Sequence, residues 1–197
     1  MRYAARQPRL LTADEFLVHP AARGHSELVR GEIHMMSPAS GLHGLVAGNV
    51  YHLLSTHVRK HRLGVCFPDG TGFALPNLEK TVRSPDASFV SSDRLPGDSI
   101  DDRFIPCAPD LVVEVRSRSE SASTLKEKLD DYRAAGTPLI WVVDPARRTV
   151  RVIRSGSPAI TLRETDTLDG GDVVPGFRCG VEELFAKPGG FPLRRGR

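Results

Sequence analysis

The chain is expected to fold as a mixed α/β protein, a central β-sheet flanked by helices with a hairpin near the N-terminus. Three observations lead there. "LVVEV", residues 111–115, is a near-continuous β-branched run of the kind that forms a central strand covered on both faces. Two segments, beginning near residues 42 and 123, carry apolar residues at helical spacing. Between and after them, short apolar stretches are broken by Gly and Pro, so the order is helix, strands, helix, strands.

In chain order, "LTADEFL" opens a short helix: Thr12 is placed to cap it, and Asp14 and Glu15 fall in the first turn, where the helix dipole favours acids. "SELVRGEIHMM" reads as two short strands turning at Gly31. After "SPASG", Leu42, Leu45, Val46, Val50, Leu53, Leu54 and Val58 recur on one helical face, and the helix ends near Gly64. Strands and turns follow over residues 65–75 and 82–90. The segment "SSDRLPGDSIDDRFIPCAP" is polar and proline-bearing and is expected to be an exposed loop. In "SASTLKEKLDDYRAAGTP", Ser123 is the expected cap, Leu125, Leu129 and Tyr132 the buried stripe, and Gly136 with Pro138 the stop. "LIWVVD" and "TVRVIR" form a hairpin-like pair around "PARR". Residues 1–186 are read as one domain, and 187–197, rich in Gly, Pro and Arg, as a flexible basic tail.

Composition limits the class. A chain of 197 residues that is 40% hydrophobic and 26% charged buries a core of its own, which excludes disordered, collagen-like and coiled-coil classes. A net charge of +3, with Arg well ahead of Lys, permits phosphate contact without requiring it. Cys66, Cys107 and Cys179 are odd in number and widely spaced, which argues against a disulfide framework and a thiolate zinc site. With no signal-peptide pattern and no apolar run long enough to span a bilayer, the expected location is cytoplasmic, without a membrane partner.

Two carboxylates interrupt apolar strands. Asp86 follows Pro85 in "RSPDASFV", where an aspartate is as readily a turn former. Glu114, flanked by Leu111, Val112, Val113 and Val115, would cost several kcal/mol to bury ionised and unpaired, so it requires a cation or a raised pKa. An arginine salt bridge would satisfy it. So would a divalent metal: Asp86, Glu114 and a strand carbonyl such as that of Val115 make an oxygen-only set suited to Mg²⁺. No histidine spacing suggests a His-based metal site, and Ser117 lacks a G-x-S-x-G elbow.

"ELVRGEI", "SPDASFV", "PDLVVEVRS" and "KLDDYRAAGTPLIWVVDP" together resemble the Uma-type family of putative restriction endonucleases, within the PD-(D/E)XK nuclease superfamily. The resemblance runs from about Thr12 to Phe185. It implies a restriction-endonuclease-like core in which Asp86 and Glu114 hold Mg²⁺ or Mn²⁺. The superfamily lysine two residues after the acid is replaced here by Arg116, which cannot act as a base. Similar proteins supply a lysine from the following helix, and the matching position is Lys128. Glu27 matches an acid in the N-terminal hairpin and would add a metal or water ligand. His43, where related sequences carry histidine, and Arg116 are accessory positions.

The function implied is metal-dependent hydrolysis of phosphodiester bonds in nucleic acid, with DNA the expected substrate. A catalytically silent nucleic-acid-binding or assembly module on the same fold is the alternative, and hydrolysis of another phosphate ester would use the same residues. Cutting both strands of a duplex suggests a homodimer, through the hairpin or the apolar stretch "VEELF".

Overall fold

The computed structural model describes residues 9–95, 100–118 and 120–187. The expected tail from 188 onward lies outside the described residues. The elements run α1 (Ala13–Leu17), β1 (Ser26–Val29), β2 (Glu32–Met35), α2 (Gly41–His61), β3 (Gly64–Pro68), β4 (Phe73–Ala74), β5 (Val82–Arg83), β6 (Ala87–Ser91), β7 (Leu111–Val115), α3 (Ala122–Ala134), β8 (Leu139–Asp144), β9 (Thr149–Arg154), β10 (Ile160–Arg163), β11 (Thr167–Asp169), β12 (Arg178–Gly180) and α4 (Val181–Leu184). The mixed α/β class is the one the sequence predicts.

The central sheet has the order β10-β9-β8-β7-β6-β3. β7 and β8 are parallel, joined by α3 as the crossover, and the other pairs are antiparallel. Every residue of β7 and β8 is buried, as two covered faces require. On one face Val46, Val50, Leu54 and Val58 of α2 pack against Phe89, Leu111, Val113 and Trp141. On the other, Leu129 and Tyr132 of α3 pack against Val112, Ile140 and Val142. A smaller sheet, β2-β1-β5-β4, stands beside this layer and carries the N-terminal hairpin.

Local chemistry explains the boundaries. Thr12 and Glu15 form a reciprocal capping box on α1. The β1–β2 turn has positive φ at Arg30 (51°) and Gly31 (87°), the pairing a tight hairpin needs. α2 ends at Arg62 in the left-handed conformation, and at Gly64 a side chain would run into the Val90 carbonyl. Gly136, at φ 94°, stops α3.

Some expectations are corrected. Ser121, not Ser123, caps α3, accepting the N–H of Thr124. The loop before β7 is not wholly exposed: Ile105 and Ala108 are buried, and Ile105 bridges to Phe73. β10, β11, β12 and α4 add to the elements that the sequence predicts. The stretch "VEELF" is not available as an interface, because Val181, Leu184 and Phe185 are buried in the chain's own core.

Candidate active site

Because Ala87 pairs with Val113, Asp86 lies just before β6 and across from the C-terminal end of β7. Its Oδ2 accepts the Val115 N–H at 2.6 Å, which fixes the carboxylate against the strand carrying Glu114. The sequence points to the Val115 carbonyl; what the structure displays is the Val115 amide orienting Asp86. Glu114, 3% exposed, points toward α3. Tyr132 Oη donates to its Oε1 at 2.8 Å, and Lys128 Nζ to its Oε2 at 3.4 Å. Lys128 and Tyr132 are four residues apart on one helical face, so a single helix presents both donors to one carboxylate.

Lys128 also lies 3.7 Å from Glu120 and 3.9 Å from Glu27. His43, in the first turn of α2, places Nε2 3.4 Å from Asp86 Oδ1, while its buried Nδ1 has no hydrogen-bond partner among the described residues. Asp86, Glu114, Lys128, Glu27 and His43 therefore border one cleft of about 360 Å³, which is also lined by Met35 at the end of β2 and by Pro38 beyond it. Arg116 does not join them. Its guanidinium reaches Asp144 at 3.1 Å and lines the opposite flank of α3.

Arg83 is the residue that sequence reasoning passed over. It is 2% exposed; Nη1 donates to Glu27 Oε2 at 2.7 Å, and Nε and Nη2 donate to Asp131 Oδ2 at 2.9 and 2.5 Å. Glu27 Oε1 accepts the Ser84 N–H at 3.0 Å. Both Glu27 oxygens are thus engaged, and this acid ties the hairpin to β5 and, through Arg83, to α3. The available signal was the demand of a buried carboxylate for a cation. In the structure the arginine salt bridge belongs to Glu27, and Glu114 is met by Lys128 and Tyr132.

The electrostatics follow from burial and from an excess of acids. Burial pushes the Glu114 carboxyl up to about 8; Lys128 opposes this, Asp86 and Glu27 add to it, and the Tyr132 hydrogen bond opposes it. Burial acts against the charge of Lys128, but Glu114, Glu27, Glu120 and Asp86 outweigh it and hold the ammonium protonated. The Asp86 hydrogen bond raises His43, against its burial. Burial likewise opposes the charge of Arg83, and Glu27 and Asp131 overcome it.

Among the described residues, no group of three or more His, Cys, Asp or Glu side chains is arranged to hold a metal ion. The pair Asp86 and Glu114 nevertheless fits a small hard cation in its donor chemistry. Both supply oxygen, and the carboxylates crowding Glu114 leave negative charge that a cation would relieve.

The model of the Uma2 family, described as putative restriction endonuclease, matches residues 13–182. The chain belongs to the Uma2 family. Its membership points to a nuclease-like function. The fold of this Uma2 protein is shared with the crystal structure of a putative nuclease belonging to DUF820 from Anabaena variabilis ATCC 29413. The TM-score is 0.75 at 21% identity, covering 89% of this chain and 97% of that one. No curated protein matches the chain. No helix among the described residues of this Uma2 protein is long and apolar enough to cross a membrane.

Proposed function

We propose that the chain is a metal-dependent endonuclease that hydrolyses phosphodiester bonds in DNA, with Mg²⁺ or Mn²⁺ as cofactor. The observation that carries the reading is the convergence of Asp86, Glu114 and Lys128 in one cleft at the C-terminal end of β7. Asp86, Glu114 and the Val115 carbonyl would hold the ion, which when bound polarises the scissile phosphate and lowers the pKa of a water.

The chain's own residues divide the remaining work. Val115 N–H and Tyr132 Oη fix the two carboxylates, so their orientation is set before substrate arrives. Lys128 stays protonated, so it acts as a donor to the attacking water or to charge developing on the phosphate, not as a base. Glu27 acts through Arg83 and Lys128, holding the hairpin and α3 in register around the cleft. The proposed location is cytoplasmic. The proposed assembly is a homodimer, since one site cuts one strand and a twofold pair matches the dyad of a duplex.

One observation favours the silent-module alternative. Lys128 already faces Glu114, and Arg83 already faces Glu27 and Asp131, so part of the cleft's charge is satisfied internally. A cleavage panel separates the readings: plasmid, single-stranded DNA and RNA with Mg²⁺, Mn²⁺ or EDTA, using wild type and Asp86→Ala. Metal-dependent cutting lost in a folded Asp86→Ala supports the enzyme. Binding without cutting, unchanged by Asp86→Ala, supports the module.

A further inference from the structure

The flank of α3 facing away from the cleft carries a second concavity, of about 590 Å³, between that helix and the β8-β9-β10 part of the sheet. Its floor is apolar, with Leu129 and Val142, and its walls carry Arg116, Lys126, Arg133, Arg147 and Arg151. Among the described residues, two acids line it, Asp130 and Asp144. Each is already bracketed by two cations: Asp130 by Lys126 at 2.5 Å and Arg133 at 3.5 Å, Asp144 by Arg116 at 3.1 Å and Arg147 at 3.0 Å. Arg151 is exposed. Five cations against two carboxylates leave the groove positive, and neither acid requires all the cations around it.

Position matters as much as charge. Thr124, Lys128 and Asp131 lie on one side of α3, while Ala122, Lys126, Leu129 and Arg133 lie on the other, half a helical turn away. At the end of β7 the same division recurs: Glu114 lines the cleft and Arg116 lines the groove. The N-terminal half of α3 is thus a ridge with the acidic cleft on one side and the basic groove on the other, and its first turn contains no acid.

We infer that the groove binds the phosphodiester backbone of the nucleic acid whose scissile bond enters the cleft, the strand crossing the N-terminal end of α3. A dense array of guanidinium groups suits phosphate oxygens, which accept paired N–H donors, and arginine remains charged at any working pH. The assignment deepens the nuclease reading and rests on it for the strand's path, but the groove's affinity for a polyanion does not depend on catalysis.

The test is oligonucleotide binding in EDTA by fluorescence anisotropy, over a range of salt, with DNA and RNA arms. It compares wild type with the triple variant Lys126→Gln, Arg147→Gln, Arg151→Gln, whose side chains are exposed. If each of the three cations neutralises one phosphate, the slope of log affinity against log salt for duplex DNA should fall by about 2.7 in the triple variant, and affinity at 0.1 M salt by on the order of 100-fold. Thermal unfolding of the triple variant should match wild type. Equal affinity and slope for the two proteins, or no binding by wild type, would overturn the groove. If wild type cuts DNA while the triple variant binds and cuts equally well, the groove falls and the nuclease reading stands. If groove-dependent binding occurs without cleavage in any metal, the groove stands as a binding surface and the nuclease reading falls.

Discussion

Arg83→Met removes the cation on which two buried acids depend. The wild-type guanidinium makes three charge-assisted hydrogen bonds, one to Glu27 and two to Asp131, and all three side chains are nearly inaccessible. Methionine fills much of the same volume, so the dominant effect is the loss of the counter-charge. Asp131 keeps Arg30, whose Nη2 is 3.1 Å away, but among the described residues Glu27 keeps the Ser84 N–H and a lysine at 3.9 Å. Removing one partner from a buried ion pair costs about 3–5 kcal/mol. With Asp131 partly compensated, the lower end applies, about 3 kcal/mol. For a domain of this size that is a fall in Tm of about 6–12 °C. Adding Glu27→Gln should recover part of the loss, because the stranded charge disappears. Differential scanning calorimetry at neutral pH on wild type, the single and the double variant measures this. A fall below about 2 °C, or a double variant less stable than the single, would refute the claim that Arg83 is the electrostatic hub joining the hairpin to α3.

Further outcomes follow from the same geometry. Glu114 has a folded pKa raised above its unfolded value, so the folded chain retains a proton that the unfolded chain releases, and stability declines as pH rises from the ordinary carboxylate range to about 8. Glu114→Gln should flatten that decline and raise Tm at pH 8 more than at pH 5; identical pH profiles would contradict the assignment. Tyr132→Phe removes the donor to Glu114 Oε1 and should cost about 1.5 kcal/mol in urea unfolding, with the m-value unchanged. Lys128→Gln should leave divalent-ion affinity near wild type while single-turnover cleavage falls by roughly 2.7–4 kcal/mol, the loss of one transition-state donor. Arg116→Ala, on the far flank of α3, should weaken DNA binding and spare the chemical step. The opposite pattern would remove Lys128 from the mechanism.

The parts of the fold legible in the sequence are those where local pattern and tertiary burial agree. The run at residues 111–115 is buried at every position, and the Leu125, Leu129, Tyr132 stripe faces the sheet. The "RG" turn has the backbone angles a hairpin demands. β10 to β12 are short, and their flanking residues read equally well as loop, so only pairing with β9 and with each other makes them strands. In the site, Asp86 and Glu114 stood out because acids interrupt apolar strands. Lys128 gains its role from family resemblance, while its place beside Leu129, bordering the buried stripe, separates it locally from Lys126, which is exposed and paired with Asp130. Arg83 was illegible because β5 is two residues long and belongs to the smaller sheet, so nothing local announced that its side chain is buried. The engagement of Glu27 by Arg83 joins residues 56 positions apart, which no spacing rule reaches.

The central claim is that Asp86 and Glu114 form a cation-dependent centre for phosphodiester hydrolysis, and single-turnover cleavage of a labelled duplex against Mn²⁺ concentration tests it most directly. Wild type should show a saturable metal dependence and no cutting in EDTA, and a folded Asp86→Ala should be slower by at least about 100-fold at every metal concentration. Cleavage by Asp86→Ala at the wild-type rate, or wild-type cleavage that persists in EDTA, would contradict it.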